Sequence, residues 1–299
     1  MKMLSKVIVV LLLATAMICC EEPNTNTPTP DNNKENNESG GNGENTNEGK
    51  NENTEVEEKE DLSFLYLISQ SSQTVTYNID GTTTTSPTTR QEYKYEGYKK
   101  IEYALYTDNT IISSSKYAYN GLICTDAQSE TTIEYLDNTY LRVKSQTTPT
   151  TISEIEYDGK RILNQKYYYN GNLTYECRYE YNGLVATVYA REYDYQTNKL
   201  SDWKKNSQIT FLDRTYLRIK EQIGYANNYT TYYDTTYDGT KLLKNEYWID
   251  FGEYRVLSIK TEYTYNGLQC SGIQFYFDTS NPQNTSPISK GMITQVFLE

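Results

Sequence analysis

The tetrapeptide Tyr-Asn-Gly-Leu occurs three times, at Tyr119–Leu122, Tyr181–Leu184 and Tyr265–Leu268. Each copy ends a run in which every second residue is aromatic or apolar. Tyr175, Cys177, Tyr179 and Tyr181 alternate with Glu176, Arg178 and Glu180. Ile101, Tyr103 and Leu105 keep the same spacing, and Leu141 and Val143 alternate with Tyr140, Arg142 and Lys144. A period of two is that of a strand with one buried and one wet face. Asp80-Gly81, Asp158-Gly159, Asn170-Gly171 and Asp238-Gly239 add further reversal points. Such pairs accept the left-handed backbone of a two-residue type I′ turn. The pattern predicts an all-β antiparallel meander of repeated hairpins, with no long helix after residue 18.

Longer repeats order the hairpins. Ile133–Gln146 (IEYLDNTYLRVKSQ) matches Ile209–Gln222 (ITFLDRTYLRIKEQ), and Tyr95-Glu96-Gly97 fills the slot of Tyr157-Asp158-Gly159 and Tyr237-Asp238-Gly239. Three units are expected near 62–128, 129–194 and 205–278, then a C-terminal strand, within one domain, 62–299. Asp137 and Asp213 recur in Leu-Asp-x-Thr-Tyr, as expected of acids that hold a turn through backbone N–H groups. Cys124 and Cys270 each follow a glycine by three, where the middle copy has Ala186. That slot suits a small buried residue better than a reactive thiol or a disulfide partner. The chain has 32 tyrosines against 6 phenylalanines. Tyrosine suits a sheet whose ring packs while its hydroxyl stays wet. The expectation is a curved single sheet, rolled into an open or closed barrel, rather than a sandwich with a dry core.

The Tyr-x-Tyr-x-Gly pattern, with Lys, Arg or Leu following, resembles the tyrosine-aspartate (YD, Rhs-like) repeats of bacterial surface proteins. The Arg-Leu of the fuller repeat is matched only loosely, as in Gly159-Lys160-Arg161-Ile162. The chain is also similar to bacterial lipoprotein families with a porin-like rolled sheet. Choline-binding repeats share Tyr-Tyr and Gly, but their recurrent Gly-Trp is absent. None of these resemblances implies a catalytic residue.

The N-terminus has a different character. Lys2 and Lys6 precede an uncharged run from Val7 to Ile18. Twelve residues are too short to cross a bilayer as a helix, and a short apolar run behind a positive start is the form of a secretory signal. Cys19 and Cys20 follow, then Glu21 and Glu22, an arrangement that resembles the lipobox of bacterial lipoproteins. The resemblance implies a signal peptide over 1–19 and an acylated Cys20, with Cys19 as the alternative. Ordinary cleavage and free secretion is the rival. Residues 21–61 hold 13 acidic residues, 3 lysines and 11 asparagines, with no aromatic residue. Such a segment buries too little apolar surface to order itself and is expected to be a tether with a reach of about 35 Å. Most of the chain's net charge of −12 sits there. The remainder shows no basic patch, so nucleic acid is not an expected partner.

Chemistry is sparse. Without histidine there is no Ser-His or Cys-His pair and no imidazole metal ligand. No enzyme activity and no cofactor are expected. Paired carboxylates would be the route to a glycoside hydrolase, yet nothing selects a pair among Glu154, Glu156, Asp250 and Glu253. Exposed aromatics are the functional candidates, since their faces stack on sugar rings. They are Tyr167, Tyr168, Tyr169, Tyr229, Tyr232, Tyr233, Trp203 and Trp248. The expected function is a lipid-anchored envelope protein, at the outer membrane or cell surface, displaying a recognition domain for a glycan or a protein. The rivals are a structural envelope role, a carboxylate hydrolase and a membrane-inserted barrel.

Overall fold

The computed structural model describes residues 61–78, 81–194, 197–280, 283 and 285–298. The signal segment 1–19, both candidate acyl cysteines, Cys19 and Cys20, and the tether through Glu60 lie outside the described residues. The rest is an antiparallel meander in three units. The first holds β1 (Leu67–Tyr77), the short β2 (Thr83–Thr85), β3 (Thr89–Glu96), β4 (Lys99–Thr107), β5 (Thr110–Asn120), β6 (Ile123–Asp126) and β7 (Thr131–Tyr135). The second holds β8 (Val143–Thr147), β9 (Thr151–Asp158), β10 (Arg161–Tyr169), β11 (Asn172–Asn182), β12 (Val185–Asp194), the two-residue β13 (Lys199–Leu200) and β14 (Lys204–Phe211). The third holds β15 (Ile219–Tyr225), β16 (Thr230–Asp238), β17 (Lys241–Asp250), β18 (Arg255–Asn266), β19 (Gln269–Phe277) and β20 (Pro287–Phe297).

β2 and β13 only lengthen the rims of β1 and β12. The other strands form a ring, because β20 pairs with β1 from Ser289↔Thr76 to Phe297↔Leu67. Among the described residues this is a closed barrel of 18 strands. Closure removes the exposed edges that an open sheet would offer to other chains.

Each unit contributes six wall strands, and this shifts the expected boundaries. The unit begins at Asp61, Asp137 and Asp213, and Ser63, Thr139 and Thr215 follow at the same place. In each loop the second of these donates its backbone N–H to the aspartate Oδ1, at 3.0, 2.9 and 2.9 Å. The next residue, Phe64, Tyr140 or Tyr216, takes a φ of 62°, 54° or 55°. Asp61 therefore opens the first unit rather than ending the tether. The C-terminal strand is no appendage. It is the sixth strand of the third unit, equivalent to β7 and β14.

The turns also differ from the expectation. Asn120 pairs with Ile123 and Asn182 with Val185, so the central residues are Gly-Leu, not Asn-Gly. Gly121, Gly183 and Gly267 have φ of 62°, 61° and 59°, while the residues on either side are not left-handed. That is the type II′ arrangement, with glycine first. The type I′ form appears at Asn170-Gly171, with φ of 48° and 77°, and at Asp108-Asn109, with 45° and 70°.

Ladder pairing sorts the side chains into two faces. One set contains Cys177, Ala186, Val188, Gln165 and Thr261, all buried. It is the inner wall. The outer wall carries cross-strand ion pairs: Lys144–Glu134 at 2.6 Å, Arg191–Glu176 at 2.6 Å and Arg255–Asp234 at 3.3 Å, with Lys94 and Lys116 on Glu102. The small-residue slot holds as expected. Cys124, Ala186 and Cys270 occupy equivalent inner positions with at most 1 % exposure, and all three described cysteines are free thiols.

One end of the barrel is closed. The three Asp-initiated loops meet there, burying Leu62, Leu65, Tyr140 and Leu141 against Leu217 and Leu298. Arg142 donates to Asp137 and, through Nη2, to the carbonyl of Thr215 in the third unit's loop at 2.9 Å. Arg218 donates to Asp213 and reaches back to the first loop, to the carbonyls of Asp61 at 2.7 Å and Ser63 at 2.6 Å. Asp61 and Leu298 both lie at this closed end. The opposite rim is formed by the turns after β1, β4, β6, β8, β10, β12, β15, β17 and β19.

Candidate functional site

A ring of 18 strands encloses a lumen wide enough to hold water. Its lining is the candidate site. The threefold repetition arranges this lining in layers. Near the closed end, Tyr119, Tyr181 and Tyr265 occupy equivalent positions. Each stacks edge-on against the left-handed aromatic of a cap loop, with centroids 5.4, 5.6 and 5.3 Å apart. The next layer holds Tyr117, Tyr179 and Tyr263. Beyond it the wall is a mixture of amides, phenols and hydroxyls, including Gln70, Gln146 and Gln222 at one equivalent position and Tyr103, Gln165 and Asn245 at another.

These groups hold one another laterally. Gln165 Nε2 donates to the Tyr167 hydroxyl at 2.6 Å, and the Tyr179 hydroxyl donates to Gln165 Oε1 at 3.5 Å. Asn245 donates to Tyr233 at 3.3 Å, Tyr276 to Gln274 at 2.7 Å, Tyr93 to Gln91 at 2.8 Å, and Gln295 to Gln70 at 2.8 Å. Burial of the rings disfavours the phenolate. It pushes Tyr181, Tyr237 and Tyr263 up to about 12, and Tyr179 and Tyr233 above the usual phenol range. The Cys177 thiol rises to about 11 for the same reason, so it is a packed thiol rather than a nucleophile. The wall can therefore offer neutral donors and acceptors beside aromatic faces. Such a surface suits a polyhydroxylated ligand better than an ionic one.

The aromatics picked from the sequence do not form one site. Tyr167 and Tyr233 lie on the inner wall, and Tyr167 faces Tyr175 across the ladder. Tyr168, one residue on, points outward and donates to Glu154 at 3.2 Å. Tyr169 stands exposed at the rim turn, and Tyr229 packs against Phe251 in two neighbouring rim loops. Tyr232 and Trp248 pair on the outer wall under Arg255, whose guanidinium lies 4.0 and 5.0 Å from their ring centroids. Trp203 is held outside by Arg178 at 5.0 Å and Arg191 at 4.6 Å. The carboxylates do not gather in the lumen either. Glu154 and Glu156 are on the outer wall, and Asp250 accepts the Gly252 N–H in a rim turn at 2.7 Å.

The inner tyrosines Tyr117, Tyr179 and Tyr263 were missed as ligand candidates, although strand parity could have found them. They lie two residues before Tyr119, Tyr181 and Tyr265, which pair directly with the small-residue slot across the hairpin, and so share its face.

No family model matches the chain, and no curated protein matches it. Among solved structures, a protein of unknown function from Bacteroides fragilis NCTC 9343 aligns with 14% identity and a TM-score of 0.23, over 50% of this chain and 88% of its own. A porin-like protein from Bacteroides vulgatus ATCC 8482 aligns with 10% identity and a TM-score of 0.32, over 78% of this chain and 98% of its own. Superpositions this loose carry no functional information.

Proposed function

We propose that this chain is an envelope lipoprotein, anchored through an acylated Cys20, whose barrel receives a neutral glycan in its lumen. The observation that carries the reading is the distribution of polarity between the two walls. The ion pairs are on the outside, across strands, and the inside is mainly tyrosine, glutamine, asparagine, serine, threonine and small or aliphatic residues, with few charges, Lys100, Asp126 and Glu192 among them. A membrane-inserted barrel has the reverse outside, an apolar band about 25 Å tall. The charged outer wall therefore favours a barrel held at a membrane by its lipid over one embedded in it. The capped end favours a receptacle over a pore. Asp61 lies at the capped end, away from the open rim.

Two measurements on the full chain test the parts separately. Cys20→Ala should move the protein from the membrane to the soluble fraction; retention would mean that the acyl anchor is not what holds it. A glycan array should return neutral oligosaccharides. Binding confined to proteins or to anionic glycans would remove the lumen reading.

A further inference from the structure

The three units are not equal, and their differences gather in one place. β6 has four residues, whereas its equivalents β12 and β19 have ten and nine. At about 3.3 Å per residue, the wall is shorter there by about 15–20 Å of strand. β7 and β8 are also short, with five residues each. β5 pairs with β4 from Thr110 to Glu102's partner Lys116, but with β6 only from Tyr117 onward. Among the described residues, the rim half of β5 thus has no strand on its β6 side. Ile111 and Ile112 on that half are 58 and 60 % exposed. The barrel wall has a notch over β6–β8.

Beneath the notch the inner wall departs from the repeat. Lys100 stands where the other units have Ile162 and Leu242, and it lies 4.8 Å from the Tyr117 ring centroid and 5.6 Å from that of Tyr93. Asp126 stands where they have Val188 and Gly272. Its Oδ1 accepts the Gln128 N–H at 3.0 Å and its Oδ2 accepts the Ser129 hydroxyl at 2.7 Å. The Ser115 hydroxyl and the Ser129 N–H lie against the same carboxylate. Beside it is a half-open cavity of about 200 Å³, lined by Tyr117, Asp126, Ser129, Thr131 and Gln146 over the buried Cys124. The volume is below that of a whole-ligand pocket and suits one ring of a longer chain. Burial of polar groups where two other units manage with aliphatic residues or glycine opposes stability.

We propose that this notch is the ligand's subsite, where one sugar ring of a neutral oligosaccharide is held between Lys100, Tyr117, Asp126 and Gln146. The inference rests on the glycan reading above and makes it local. Lysine and aspartate together add no net charge, so they select hydroxyls, which accept from the ammonium and donate to the carboxylate. Tyr117 supplies the aromatic surface, and Gln146 supplies both a donor and an acceptor.

The sister units provide the test. Lys100→Ile and Asp126→Val install the residues of the second unit. The full chain, in detergent, is titrated calorimetrically with maltohexaose, cellohexaose, xylohexaose and mannohexaose, and its melting temperature is measured alongside. The expected result is that at least one hexaose binds the parent. Each variant then loses about tenfold or more in affinity while melting no earlier. Binding unchanged in both variants would overturn the notch and leave the glycan reading intact. Variants that melt several degrees lower would mark the pair as structural and also overturn it. If no hexaose binds the parent, both readings fall.

Discussion

Three tyrosine hydroxyls make the same bond in the three units, and their removal measures the symmetry of the barrel. Tyr95, Tyr157 and Tyr237 donate to the carbonyls of Leu67, Val143 and Ile219 at 3.0, 3.0 and 3.2 Å. Each acceptor is the first residue of its unit's first strand, so the bond ties a cap loop's exit to the hairpin beside it. Tyr→Phe keeps the ring and removes the donor. A buried hydrogen bond of this kind contributes about 0.5–1.5 kcal/mol. For a domain of this size, about 1 kcal/mol corresponds to roughly 2–4 °C in melting temperature. The sites are six strands apart, about 29 Å along the wall, well beyond the range at which mutations couple. The triple variant should therefore lose about 3 kcal/mol and roughly 6–12 °C. The assay is urea unfolding, followed by fluorescence, with the slope unchanged across the series. A triple variant no weaker than the singles would refute the reasoning. So would one site carrying the whole loss, since equivalent geometry would then not mean equivalent energy.

Further outcomes follow from the cap, the turns and the buried phenols. Arg218→Met should destabilise by about 2–4 kcal/mol in thermal or urea unfolding, because it strips donors from two carbonyls and Asp213 together. Arg142→Met, which frees one carbonyl and Asp137, should cost less. Gly183→Val should cost about 1–2 kcal/mol from its positive φ alone, since a Cβ there meets nothing within 4 Å. A loss near zero would mean the turn relaxes to another type. Stability should also fall in alkali. Tyr181, Tyr237 and Tyr263 keep their protons to about 12 when folded, against 10.0 for a free phenol. Cys177 keeps its proton to about 11, against 9.0. Below the lower values both states are protonated and the full stability is present. As pH rises past them the unfolded chain alone releases protons, so stability declines toward the folded values. A tyrosinate absorbance step near the ordinary phenol range, in the folded protein, that Tyr181→Phe, Tyr237→Phe or Tyr263→Phe removes would contradict the burial of these rings.

The meander was readable because period two and the glycine turns are local signals. What escaped the sequence depends on pairing between distant segments. Asp61-Leu62-Ser63-Phe64-Leu65 is a third copy of Asp-x-Thr-Tyr-Leu, but serine and phenylalanine disguise it and it adjoins an acidic stretch. Only the shared N–H to carboxylate bond and the left-handed Phe64 reveal it. Closure was left open because nothing local in Ser289–Phe297 says that it will meet Leu67–Thr76. The turn type was misread because Asn-Gly favours one register, whereas the ladder on both sides imposes another, with glycine first. The scattered aromatics have a simpler cause. Tyr167, Tyr168 and Tyr169 are consecutive, so successive rings point to opposite faces. A cluster in sequence along a strand is not a cluster in space.

The short strands should also govern where the barrel opens. β6 and β7 share four paired positions, β7 and β8 share four, and β8 and β9 share three, whereas β19–β20 and β20–β1 share nine each. Local opening breaks the ladder bonds of the segment that moves, so its free energy falls with their number. The same seam joins the first unit to the second. There the first cap loop presents Tyr66, stacked on Tyr98 at 5.4 Å, where the other loops present Arg142 and Arg218. Backbone amides of β6–β8 should accordingly exchange with deuterium faster than those of β16–β19, under conditions where the melting of the whole barrel is unchanged. Binding of a hexaose in the notch would couple to that opening and slow exchange there first. Uniform exchange around the ring would mean that the barrel opens as one cooperative body and that the low wall is as firmly held as the rest. The notch would then be a fixed feature of shape, with no part in admitting a ligand.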